Sequence, residues 1–270
     1  ALFDTHTHFD VSDFDHDREQ LAYQAKQVGV EALVLIGFVQ QRFKTLLATH
    51  HFINGLTAAP QSYLAPGLHP FYIEQHQSSD LLDLERILQT EECVAIGEIG
   101  LDTFLKAHKE DTIFQKQQDF FSAQIELAQQ FDLPILLHIR KSHAEVLALL
   151  KQHRFKHGGI AHAFSGGVEE AKAFIKLGFK IGVTGQITNP NAKRLRQVVQ
   201  TIGIEHLVLE TDCPDMTPLC CQSSTEHRTR NTPANLPYVL DSLAHSLNMQ
   251  GAEIAPILWS NTLSALHLDA

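Results

Sequence analysis

With 270 residues, 44% of them hydrophobic, the chain is long enough for one large or two small globular domains. It contains no apolar run of about 18 residues, which excludes a membrane-spanning helix on sequence grounds. A net charge of −10 argues against broad electrostatic coating of duplex DNA, but not against a local phosphate-binding cleft charged by metal ions.

The opening Ala1-Leu2-Phe3-Asp4 lacks a basic region and a long apolar core, so no signal peptide is expected. Cys93, Cys213, Cys220 and Cys221 show neither disulfide nor zinc-finger spacing. Reduced thiols and a cytoplasmic location are the expectation.

Taken in order, strand-like runs fall at 2–5, 32–36, 63–67, 93–97, 134–138, 159–162, 179–183 and 206–211. They are short, rich in Val, Ile and Leu, and mostly continuous rather than alternating, as suits strands buried on both faces. Helical patterns at 18–28, 111–131, 168–177, 233–247 and 252–266 lie between or after them, several ending at Gly or before Pro. This rhythm predicts an α/β protein, a single (β/α)8 TIM barrel domain over 1–270. A doubly wound open sheet is less favoured, because no Gly-rich dinucleotide fingerprint follows the first strand.

In such a barrel, chemistry sits where strands end. His6 and His8, spaced i and i+2, point two imidazoles the same way if the segment is extended. Further on, the predicted strand ends bring His69, then Glu98 with Asp102, then His138 with Arg140, then His162, and finally Glu210 with Asp212. Strands 2 and 7 offer no such residue. A lone His138 would more often be a satisfied core histidine, and histidines such as His50, His51 and His245 read as surface. Six strand ends converging on one mouth point instead to a metal site, since buried charges must be paired or bound to metal. Four histidines and two carboxylates exceed what one open four-coordinate zinc needs and suit two ions sharing a carboxylate. Mixed N/O ligation admits Mg, Mn or Zn and does not choose among them.

The segments His6-x-His8, Gly67-Leu68-His69-Pro70, Gly97-Glu98-Ile99-Gly100-Leu101-Asp102, Leu133-Pro134 with His138-x-Arg140, His162-x-Phe164-Ser165-Gly166 and Glu210-Thr211-Asp212-x-Pro214 resemble the TatD family. These are metal-dependent hydrolases of the amidohydrolase superfamily. The loop after Asp102 and the helix carrying Gln117, Gln118 and Gln124 are most similar to its YjjV-type branch. The resemblance implies that His6, His8 and Asp212 hold one ion and His138 and His162 the other, with Glu98 bridging. Asp212 would orient the attacking water or take its proton. His69 would lie near the substrate phosphate without being a regular ligand, and Arg140 could hold a phosphate oxygen. The Ser165-Gly166-Gly167 turn reads as a helix cap.

The implied activity is a deoxyribonuclease or phosphodiesterase acting on ester bonds through a water activated by two divalent metal ions, with DNA 3′ ends among its substrates. The alternative is a hydrolase of another ester, an aminoacyl-tRNA ester or small phosphoester, on the same site. A non-catalytic barrel is disfavoured because all six ligand positions are kept. No membrane association and no obligate protein partner are expected. Thr103-Phe104 stands where the family commonly has two tyrosines, and Asn231-Thr232-Pro233 where it commonly has Asn-Glu-Pro. Both loops are expected to touch substrate, with Lys106, Lys109, Arg228 and Arg230 as their cations and Phe104 as their one aromatic.

Overall fold

The computed structural model describes residues 1–269. Eight parallel strands run in chain order: β1 (Leu2–Thr7), β2 (Val30–Ile36), β3 (Gln61–Ala65), β4 (Ile96–Asp102), β5 (Ile135–Arg140), β6 (Gly159–Ala161), β7 (Phe179–Val183) and β8 (Leu207–Leu209). The helices are α1 (Arg18–Gln27), α2 (Phe43–Asn54), α3 (Ser78–Thr90), α4 (Asp111–Gln130), α5 (His143–Gln152), α6 (Val168–Lys176), α7 (Lys193–Ile202), α8 (Leu236–Ser246) and α9 (Gly251–Ala265). The sequence pattern had pointed to five of these nine. Helices α2, α3, α5 and α7 were not resolved as separate patterns within the β-α rhythm.

Regular ladder pairing joins β1 to β3 and, separately, β4 to β8. The two arcs close into a barrel through sparser bonds at two seams. At one, Val94 N–H donates to Leu64 O (2.9 Å), Gly97 N–H to Pro66 O (3.1 Å) and Glu98 N–H to Gly37 O (3.0 Å). At the other, Asp212 N–H donates to His6 O and His8 N–H to Cys213 O, both at 2.9 Å. The buried Asp4 carboxylate reinforces this second seam by accepting from Thr211 N–H (2.9 Å) and Thr211 Oγ1 (2.6 Å). Glu98 and Asp212 therefore stand at the two places where the ladder gives way.

Two apolar layers support the mouth. Leu33, Leu35, Leu137, Ile139, Phe121 and Ile125 belong to the larger one, between strands and helices. A smaller one, with Phe3, Val34, Ile36, Ala65, Leu136, Ile160 and Val208, fills the lumen, and Ala265 and Leu266 from the end of α9 join it. Because strand side chains alternate, the residues two beyond Leu136, Ile160 and Val208 also face the lumen axis. Those residues are His138, His162 and Glu210. The lumen is thus sealed by apolar groups below and lined by ionisable ones above.

The fourth strand departs from expectation. It begins at Ile96, not at 93, and runs on through Asp102, so Glu98 and Asp102 lie within the strand. A register irregularity between Gly97 and Ile99 lets it continue. So does Gly100, at φ 150°, where any Cβ would meet His138 O at 2.0 Å. Cys93 accordingly precedes the strand, and all four thiols are free. No helix among the described residues is long and apolar enough to cross a membrane.

Candidate metal centre

The strand ends deliver the expected side chains to one place, arranged around Glu98. Its Oε2 lies 2.9 Å from His6 Nε2 and 3.4 Å from His8 Nε2. Its Oε1 lies 2.7 Å from His138 Nδ1, 3.1 Å from His69 Nε2 and 3.7 Å from His162 Nε2. Asp212 faces it from the opposite seam, with Oδ1 3.7 Å from His6 Nε2 and 3.6 Å from His8 Nε2, and Oδ2 3.6 Å from His162 Nε2. The His6 and His162 rings stack with centroids 3.4 Å apart. Asp212 (φ 56°) and Ala163 (φ 43°), next to His162, hold left-handed backbone conformations that cost energy away from glycine.

Three groups of donor atoms lie close enough to share an ion: His6, His8 and Asp212; His6, Glu98 and His162; and His69, Glu98 and His138. The donor set fits divalent cations, since imidazole nitrogens and carboxylate oxygens converge in a space too apolar beneath to solvate bare charge. The structure brings together all six expected ligands and His69. It separates His138 from His162 in this grouping and pairs His138 with His69. Arg140 reaches the cleft wall but stacks its guanidinium 3.6 Å over the Phe104 ring.

Around these groups sits a supporting set drawn from the same sequence segments. Asp102 Oδ2 lies 2.7 Å from His138 Nε2, and Asp102 Oδ1 accepts from Phe104 N–H at 2.9 Å. Glu210, fully buried, places Oε1 3.0 Å from His162 Nδ1, accepts from Ala163 N–H, and packs where a Cβ on Gly182 would intrude. Carboxylates behind imidazoles fix ring orientation and raise basicity. Helix α4 supplies two glutamines that replace missing ladder partners. Gln117 pairs with both backbone groups of Asp102 (2.9 Å each), and Gln124 with both of Leu68 (2.8 and 3.2 Å). Asn231 is also structural. It is buried, donating to Thr211 O (2.9 Å) and Asp215 O (2.8 Å), so it braces the Asp212 turn and does not meet substrate. Arg230 is bound to Asp17 at the protein's edge, Gly167 caps α6 with Glu170, and Lys106 and Lys109 are exposed outside the cleft.

Electrostatics follow from this crowding. Burial opposes charge on His69 and, with smaller contributions from His138 and His8, carries its pKa down to about 4, leaving a neutral imidazole. Burial also opposes charge on His138, but the Asp102 and Glu98 carboxylates outweigh it and raise the pKa to about 9. Glu98 is held well below the usual carboxylate range despite burial, by the surrounding histidines.

The cleft above has a volume of about 610 Å³. Phe38, Phe71 and Tyr72 line one side, and Ser165, Gln186, Asp215, Met216 and Arg228 the other. None of the three aromatics was singled out from sequence. The available signal was their place just after the β2 run, at Gly37-Phe38, and two and three residues after His69, at Phe71 and Tyr72.

A (β/α)8 barrel whose strand ends converge five histidines on Glu98, with Asp212 opposite, has the donor set of a metal-dependent hydrolase. Residues 3–267 match the family described as TatD related DNase. The chain belongs to the TatD family. It is 35% identical over 269 residues to the metal-dependent hydrolase YjjV of Escherichia coli K12, covering 99% of this chain and 98% of that one. The crystal structure of that YjjV superposes with a TM-score of 0.88 over 99% of this chain and 98% of the other. A protein named 3'-5' ssDNA/RNA exonuclease TatD from Pantoea sp. At-9b is 31% identical over 248 residues, 90% of each chain.

Proposed function

We propose that the protein is a phosphodiesterase that removes nucleotides from the 3′ ends of single-stranded nucleic acid, using two divalent ions that the residues around Glu98 would hold. The observation that carries this reading is the convergence of five imidazoles on the single Glu98 carboxylate at the floor of an open cleft. His6, His8 and Asp212 would hold one ion, and His138 and His162 would serve the other, with Glu98 within reach of both sets and His69 beside His138. When bound, the ions supply Lewis acidity and lower the pKa of water, which favours hydrolysis over redox chemistry.

The protein's own groups do the rest. Asp212, with one oxygen on each side of the cluster, orients the attacking water and takes its proton. His69, its Nδ1 accepting from Phe71 N–H, directs its Nε2 side at Glu98 and at the space beside it where a phosphate oxygen would arrive, without adding a competing charge. Arg140, pre-set over Phe104, and Arg228 are the two strong cations on the cleft wall and the candidates for non-bridging phosphate oxygens. The relative named as an exonuclease supports a nucleic-acid substrate.

The test uses metal-stripped protein restored separately with Mg, Mn or Zn. Its substrates are single-stranded and 3′-recessed DNA, bis-nitrophenyl phosphate and a D-aminoacyl-tRNA, with Glu98→Ala as the control. Metal-dependent shortening from the 3′ end, absent in the control, is the expected result. Turnover of the aminoacyl ester alone would replace this reading by the other ester.

A further inference from the structure

Three rings make a continuous wall on the β2–β3 side of the cleft. Phe38 and Tyr72 lie 5.4 Å apart between centroids, and Tyr72 and Phe71 5.3 Å. All three are half-buried, although large aromatic rings contribute most when covered. The wall abuts the floor directly, since Phe38 packs against His8 at 5.8 Å and Tyr72 against His69 at 5.5 Å. Among the described residues, the Tyr72 hydroxyl has no hydrogen-bond partner within the protein. Resting on the reading above, we infer that this wall seats the unpaired base of the nucleotide adjoining the scissile phosphate.

The chemistry selects that occupant. A ring shelf holds any base by its π-face, and sequence tolerance is what an end-trimming enzyme requires. Inside a duplex both faces of a base are stacked, and at its end the base is still paired and stacked on one face, so the shelf favours an unpaired end. At net charge −10, with Arg140 and Arg228 as the only Lys or Arg side chains among the described residues lining the cleft, the protein has little basic surface there for tracking a backbone. Stacking next to the reacting phosphate is the uncharged way to position a strand. The free Tyr72 hydroxyl gives the seat a polar group at the base or sugar edge.

The experiment compares single-stranded oligonucleotides ending in normal 3′ nucleotides with others whose 3′ nucleotides are abasic. With the metal-loaded enzyme, the abasic end should raise KM roughly tenfold or more, the scale of one lost base–ring stack. Phe38→Leu and Tyr72→Leu should raise KM for the normal end and erase the difference between the two substrates, whereas Tyr72→Phe should keep it. A second readout needs no turnover: an oligonucleotide with 2-aminopurine at its 3′ end should lose fluorescence on titration with protein, and the Leu variants should weaken that quench. Cleavage of both ends with equal KM would overturn the seat and leave the hydrolase reading intact. Quenching without cleavage under any metal would overturn the hydrolase reading and leave the seat. Absence of quenching would overturn the seat.

Discussion

At the floor of the mouth the functional groups stand on or just beyond strands, and three of them have a second group behind them: His138 has Asp102, His162 has Glu210, and the Asp212 turn has Asn231. The rim is made differently. Its walls come from loops after β2, β3, β6 and β7, and the segment after Asp212 is tied down by a few surface contacts, Arg228 to Asp215, Arg230 to Asp17, and Thr217 to Thr229 O. Fixed geometry is what charge stabilisation and water activation require, whereas substrate choice tolerates and uses adjustable loops. A relative can therefore keep the floor and change its substrate through the rim alone.

Breaking the floor should cost most. Glu98→Gln keeps shape but removes the shared charge, so hydrolysis should fall on the order of 10³-fold. Metal content per protein should drop with it, and circular dichroism should stay unchanged. Asn231→Ala strips a donor from the buried Thr211 carbonyl and another from the part-buried Asp215 carbonyl, and should lower stability by about 2 kcal/mol, read as an earlier urea midpoint. Asp102→Asn leaves His138 with a weaker partner. It should reduce kcat/KM about 10- to 100-fold and weaken metal binding, with loss of only one of the two arguing against a positioning role.

Asp4 supplies a pH test of the seam beneath the floor. Burial pushes its carboxyl from the ordinary 3.8 up to about 7, against opposing hydrogen bonds from Thr211. The folded chain then keeps a proton that the unfolded chain loses. The associated stability is full below the ordinary carboxyl range and is lost as pH rises to about 7, at about 1.4 kcal/mol per unit of separation. Unfolding of EDTA-treated protein should show this decline in the wild type and a flatter profile in Asp4→Asn. Loosening the rim should matter least. Asp17→Asn frees Arg230 from a partly exposed pair and should cost about 0.5 kcal/mol, with no loss of metal binding.

Much of the floor was legible from residues alone, because a buried parallel strand reads as an apolar run and any His, Glu or Asp closing one is conspicuous. His6, His8, His69, Glu98, His138, His162 and Asp212 were found that way, and the barrel followed from eight repeats of one rhythm. The same local signal could not place the fourth strand, whose continuation through Glu98 depends on a register break and on Gly100 passing against His138 O. Nor could it give Asn231, Asp102 and Glu210 their tasks, or gather Phe38, Phe71 and Tyr72 into one wall. Those facts arise from contacts between segments distant in the chain. Pattern and spacing thus determined which groups exist at the strand ends, because burial constrains residue type strongly. Only barrel closure decided which groups face one another, because that depends on where the two arcs meet.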